Sequence, residues 1–221
     1  MSHTKIIVFT SVILFSFSIF LNKTVGGENK IATYRETIAV LQELYKAEIT
    51  AFKAYSGFVQ KAEEEKYYCV SRLFKALSES ETVHARNFKK ILNELDVETN
   101  KFSEPDIKIG NTETNLKWAL KVELSEIETN YPKFINRIKS ERHQRALEDI
   151  TYAWKAEMQH RHLIKKMKSG LWLFFGKVVD KLKGAKEYQV CQRCGSTIFK
   201  LPEKSCIICG SPVSMYKRIK E

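Results

Sequence analysis

The sequence predicts an all-α four-helix bundle followed by a small, non-helical, cysteine-rich module. Three observations predict it. Apolar residues recur every three or four positions through two long stretches, 33–95 and 111–168. Each stretch is interrupted once near its middle by a polar cluster. Four of the five cysteines fall in two Cys-x-x-Cys pairs beyond residue 190. A chain of 221 residues has room for one medium core plus such an appended module.

In the first stretch, Ile38, Leu41, Leu44 and Tyr45, then Leu73, Phe74 and Leu77, give the helical period, and "KAEEEKYY" supplies the turn. Two helices of roughly 25 residues each account for it. The second stretch repeats the plan, "NTETNLKWALKVELSEIETNYPKFINRIK" and "ERHQRALEDITYAWKAEMQHRHLIKKMK", with "KSERHQ" at its turn. Between the pairs, "DVETNKFSEPDIKIGNTETN" carries Pro105 and Gly110 and reads as a long crossover. Two antiparallel pairs with one long connection make a four-helix bundle. The expected divisions are a leader at 1–27, the bundle at 28–170, a connector at 171–186 and the cysteine module at 187–221.

The leader has one lysine, then a largely apolar run from Ile6 to Leu21, then a polar flank ending in "VGG". Sixteen residues is short of the roughly 20 that a spanning helix needs, so a removable export signal is expected. Uncleaved, the same run would associate with a membrane as an anchor, and Lys23, Lys30 and Arg35 behind it would suit a cytoplasmic body. The net charge of +11 is local. From Gly176 to Glu221 ten Lys/Arg face four Asp/Glu, a balance of +6. Such a tail suits nucleic acid, an acidic membrane surface or an acidic protein.

The helices carry a repeated Glu-x-x-His. Glu81 with His84, and Glu157 with His160, each place a carboxylate and an imidazole on one helix face. Glu48 lies 33 positions before Glu81 and Glu123 lies 34 before Glu157, so the midpoints fall in the two polar turns. Residues equidistant from the turn of an antiparallel hairpin stand at one height. Four carboxylates and two imidazoles therefore meet at one level of the core. Burying four carboxylates without counter-charge would cost several kcal/mol per ion. Two divalent cations balance them, and an oxygen-rich set with one imidazole per metal suits iron or manganese. Glu126, three after Glu123, adds a carboxylate on nearly the same face and is expected to serve as a redox-dependent ligand. Tyr55, seven after Glu48, and Tyr131, eight after Glu123, are candidates to hydrogen-bond ligand carboxylates. His143, His162, Glu43, Glu63, Glu64, Glu65 and Glu79 read as surface residues.

In "CQRCGSTIFKLPEKSCIICGSP", Cys191, Cys194, Cys206 and Cys209 form two knuckles, each followed by glycine, as a tetrahedral tetrathiolate site requires. Two disulfides are the alternative. Four sulfurs accept one iron or one zinc equally well. Cys69 is left over as a small buried hydrophobe.

Taken together these residues resemble rubrerythrin over about Thr33 to Ile219. The resemblance is carried by Glu48, Glu81 with His84, the doubled Glu123 and Glu126 before "NYP", Glu157 with His160, and the four cysteines. It implies a ferritin-like di-iron bundle with a rubredoxin-like domain, and Glu126 and His84 as alternative ligands to one iron. It places Tyr55 and Tyr131 at the family's hydrogen-bonding tyrosine positions. It also implies a peroxidase that reduces hydrogen peroxide to water, with electrons relayed from the tetrathiolate iron. A rubredoxin- or reductase-type protein would donate them, commonly within a head-to-tail homodimer. The cysteine module departs from the family in having Ser196 where a tyrosine often follows "CG", and "CIIC" without a proline after its first cysteine. Ligation is unaffected, and the choice of iron over zinc stays open. Two other readings are ferroxidase or iron handling, which needs no reductant, and a zinc ribbon gripping nucleic acid through Lys200, Lys204, Lys217, Arg218 and Lys220. The second leaves the bundle site without a role, so no nucleic-acid partner is expected.

Overall fold

The computed structural model describes residues 30–103, 106–173 and 187–220. The leader, including the run 6–21, and most of the expected connector lie outside them. Among the described residues no helix is long and apolar enough to cross a membrane.

Helix α1 (Arg35–Glu64) and helix α2 (Tyr68–Glu94) form the first hairpin. Lys66, at φ 64°, takes the left-handed conformation, and Tyr67 N–H reaches back to Ala62 O at 2.7 Å, which closes α1 in a Schellman turn. Asp96 and Val97 repeat the device at the end of α2, with Val97 N–H on Leu92 O at 2.9 Å. The long connection that follows leads to α3 (Thr112–Ser125), where the Asn111 side chain accepts Thr114 N–H.

The third rod is not one regular helix. A π turn (Glu126–Asn130) separates α3 from α4 (Tyr131–Ile138). Pro132 explains it. Tyr131 N–H goes to Glu126 O, five residues back, so the next acceptor in that pattern, Ile127 O, would need a donor from Pro132, which has none. The Trp154 indole supplies it from the neighbouring helix at 3.0 Å. Helix α5 (Gln144–Leu173) completes the bundle. His143, expected at the surface, caps it by accepting Ala146 N–H, and Glu141 in the same turn accepts the N–H groups of Glu36 and Thr37 at the start of α1.

The core is apolar above and below a polar layer. Val40, Leu41, Leu44, Phe88, Ile91 and Ile150 fill one end; Phe58, Leu73, Phe74, Leu77, Leu116 and Ile164 fill the other. The cysteine module is a three-stranded antiparallel sheet ordered β2-β1-β3, from β1 (Tyr188–Cys191), β2 (Thr197–Ile198) and β3 (Tyr216–Ile219). Tyr188, Val190 and Ile219 pack into the second apolar end, so the module is docked on the bundle. Full burial of such side chains stabilises by roughly 1.5–3 kcal/mol each.

Candidate metal centres

Glu48 on α1, Glu81 and His84 on α2, Glu123 on α3, and Glu157 and His160 on α5 meet between the two apolar ends, each no more than 2% exposed. They divide into two groups, Glu48, Glu81, His84, Glu157 and Glu81, Glu123, Glu157, His160, in which one ligand atom per residue lies within 4.8 Å of all the others. Glu81 and Glu157 belong to both. His84 Nδ1 stands 3.0 Å from Glu81 Oε2 and 3.0 Å from Glu157 Oε1; His160 Nδ1 stands 2.8 Å from Glu157 Oε2 and 3.4 Å from Glu81 Oε1. Two carboxylates thus face both imidazoles, while Glu48 and Glu123 each serve one side.

The electrostatics show what this layer lacks. Burial pushes Glu48 up to about 8 against the pull of His84, and pushes Glu123 well above the carboxylate range. Burial would lower both imidazoles, but the surrounding carboxylates outweigh it and raise them. Glu157 is held low, because His160 and His84 overcome its burial. Glu81 Oε1 and Glu123 Oε2 are buried without a hydrogen-bond partner. Orphaned, converging carboxylate oxygens beside imidazole nitrogens fit a pair of divalent cations.

The tyrosines are reciprocal. Tyr55 O–H donates to Glu123 Oε1 at 2.6 Å and Tyr131 O–H donates to Glu48 Oε1 at 2.7 Å, so each half of the bundle orients the other half's carboxylate. Both phenols are raised well above their usual range, by burial first and then by Glu123 and Glu48 respectively, and remain donors. Glu126, in the π turn, is half-buried beside the cluster but outside both ligand groups. Burial and the Glu157 and Glu48 carboxylates push it up.

In the module, Cys191 Sγ lies 3.8 Å from Cys209 Sγ and Cys194 Sγ lies 3.6 Å from Cys206 Sγ, with all four cysteines free. A disulfide needs about 2.05 Å, whereas the edge of a tetrahedron with metal–sulfur bonds of about 2.3 Å is about 3.8 Å. The sulfurs fit one tetrahedral metal. Tyr216 packs on this cluster with its hydroxyl 3.2 Å from Ser196 Oγ, so an aromatic ring flanks the cysteines although none follows "CG".

The two knuckles differ in surroundings. Gly195 and Gly210 both take positive φ, 77° and 73°. Nothing lies within 4 Å of a Cβ added at Gly210, and Ile207 beside it is 73% exposed. A Cβ at Gly195 would overlap His84 Nε2 and Ser80 Oγ. Around it, His84 Nε2 is 3.3 Å from Cys194 O and Ser80 O–H donates to Gly195 O. Arg193 pairs with the buried Asp149 at 2.5 Å, and Lys217 with Glu79 at 2.7 Å. Glu79, expected to be solvated, instead helps hold the module, also accepting from Gln192. Sequence reasoning missed Glu79, Asp149 and Gln159, whose partners in the module are between 37 and 138 positions away.

The rubrerythrin family model matches residues 39–168, more than half of the chain. The chain belongs to the rubrerythrin family. It is 28% identical to Rubrerythrin-2 of Clostridium acetobutylicum over 174 residues, 79% of this chain and 91% of that protein. It is 27% identical to the rubrerythrin of Clostridium perfringens over 195 residues, 84% and 95% of the two. Among solved structures it is similar to fully reduced, all-ferrous nigerythrin, with a TM-score of 0.69 at 22% identity over 82% of this chain and 86% of that one. It is also similar to Desulfovibrio desulfuricans bacterioferritin, with a TM-score of 0.65 at 18% identity over 70% and 91%. This rubrerythrin-family chain is therefore a di-iron oxidoreductase of ferritin-like fold with a rubredoxin-like module, as its motifs led one to expect.

Proposed function

We propose that the chain reduces hydrogen peroxide to water. Glu48, Glu81, His84 and Glu157 would hold one iron, and Glu81, Glu123, Glu157 and His160 the other. Glu126 stands as the alternative to His84. When bound, the two ferrous ions each supply one electron, so that H2O2 with two protons and two electrons becomes two waters. Tyr55 and Tyr131 keep the terminal carboxylates aimed inward, and the apolar ends keep bulk water out. The cysteine module returns the electrons, which it receives from a rubredoxin- or reductase-type donor protein.

The observation that carries this reading is the 3.3 Å approach of Cys194 O to His84 Nε2. A tetrathiolate site is built directly onto a ligand of the carboxylate site. Iron storage or ferroxidation needs no such reductant inlet. The iron in the thiolate site, a head-to-tail homodimer, and export or anchoring through residues 6–21 belong to the same proposal.

The test uses the reduced full chain under anaerobic conditions. Cys206→Ser should consume one equivalent of peroxide per di-iron site and then stop, while the unmodified chain turns over for as long as reductant lasts. Unchanged steady-state turnover in Cys206→Ser would remove the module from the electron path. Oxidation of added ferrous ion without peroxide turnover would favour iron handling instead.

A further inference from the structure

The knuckle that faces the bundle touches both imidazoles and not His84 alone. Thr197 Oγ1 lies 3.3 Å from His160 Nε2, and the Thr197 side chain is buried at the start of β2. The hydroxyl has one hydrogen, and it is committed. It donates to Gly195 O at 2.9 Å, the carbonyl that also takes the Ser80 hydroxyl at 2.7 Å. Toward His160, Thr197 Oγ1 is therefore an acceptor, and Nε2 must carry the hydrogen. In the neutral ring that a metal ion requires, that leaves the Nδ1 lone pair pointing among Glu157, Glu81 and Glu123. The position of Thr197 is itself fixed from α5. Gln159 Oε1, next to His160, accepts both Thr197 N–H and Ser196 O–H at 3.0 Å. On the other side, Cys194 O can only accept, so it fixes His84 in the same way.

We propose that Thr197 is a positioning residue for the bundle's metal centre: the cysteine module sets the ring orientation and tautomer of His160 through this hydroxyl, as it sets those of His84 through the Cys194 carbonyl. The module is then a structural part of the dimetal site in addition to any role in electron delivery. Outer partners of metal-bound imidazoles fix the ring and raise its basicity, and losing one weakens metal affinity by about 10–100-fold. This inference rests on the dimetal reading of the bundle and does not need peroxide as substrate.

The test is manganese binding by the full chain with zinc in the thiolate site, since Mn(II) prefers the oxygen-rich sites. The unmodified chain should bind two Mn(II) ions per bundle. Thr197→Val keeps the shape and removes the acceptor; one of the two ions should bind about 10–100-fold more weakly, the other unchanged. Thr197→Ser should restore the unmodified pattern. Equal binding of both ions by Thr197→Val overturns the proposal. So does equal weakening in the valine and serine variants, which would make the effect one of packing. An unmodified chain that takes up no manganese overturns the dimetal reading beneath it, whereas a chain with the expected binding pattern but no peroxide turnover overturns only the proposed reaction.

Discussion

The two helical hairpins carry the same equipment but not the same spacing. In the first, Tyr55 follows Glu48 by seven residues, about 20° short of two full helical turns, so a regular helix keeps both inward. In the second, Tyr131 follows Glu123 by eight, which in a regular helix would leave it about 80° off the face. The π turn takes up the surplus residue and returns Tyr131 to Glu48. The near-symmetry of the site is thus restored in the second half by an irregularity, and Trp154 has to satisfy the carbonyl which that irregularity frees.

Deleting one residue of the π turn, Thr129, should break the comparison most severely. The rod can then become a regular helix only by moving Glu126 and Tyr131 against each other, and metal content after purification should fall from two ions per bundle to one or none. Full loading of that variant would mean that the surplus residue has no part in building the site. A smaller effect is expected from Trp154→Phe. It leaves Ile127 O buried without a donor, and urea denaturation should show a loss of about 1–3 kcal/mol. The first hairpin has no π turn, so no aromatic residue there has an equivalent role.

The knuckles of the module offer a parallel contrast between equal local geometry and unequal surroundings. Alanine at Gly195 or at Gly210 strains the backbone alike, but only at Gly195 does the methyl meet His84 and Ser80. Gly195→Ala should expose the interface near Arg193 to proteolysis, while Gly210→Ala leaves it protected. Equal protection in both would show that the Gly195 contact does not hold the module in place.

Much of this was legible in the sequence. The hairpins, the height at which the four carboxylates meet, and the tetrathiolate site follow from period and spacing, which are local and repeated. The π turn was not read, although its two signs were present: a tyrosine seven residues after Glu48 but eight after Glu123, and Pro132 next to Tyr131. A single surplus residue does not disturb an apolar period enough to show. The docking of the module was not legible at all. Asp149, Glu79 and Gln159 look like ordinary polar residues of amphipathic helices, and their partners are fixed by tertiary packing.

A further prediction concerns pH in the metal-free chain. Glu48, raised from 4.5 to about 8, keeps a proton in the folded state that the unfolded chain has lost, and the two raised imidazoles do the same above 6.5. Their contributions are complete below the unfolded values and disappear as pH rises through the folded ones; that of the depressed Glu157 is present above 4.5 and lost in acid. Metal-free protein should therefore be most stable near pH 5 and weaken toward pH 9, at up to about 1.4 kcal/mol per pH unit for each proton released. With cations in place of those protons, the decline should vanish.

That difference gives the most direct test of the central claim, that paired cations make the buried carboxylate layer tolerable. The measurement is the melting temperature of the full chain at pH 8, before and after the bundle metals are removed with a chelator that leaves the thiolate site loaded. The account predicts a large fall at pH 8 and a much smaller one at pH 5. A bundle stripped of iron and manganese that melts at its original temperature at pH 8 would contradict it.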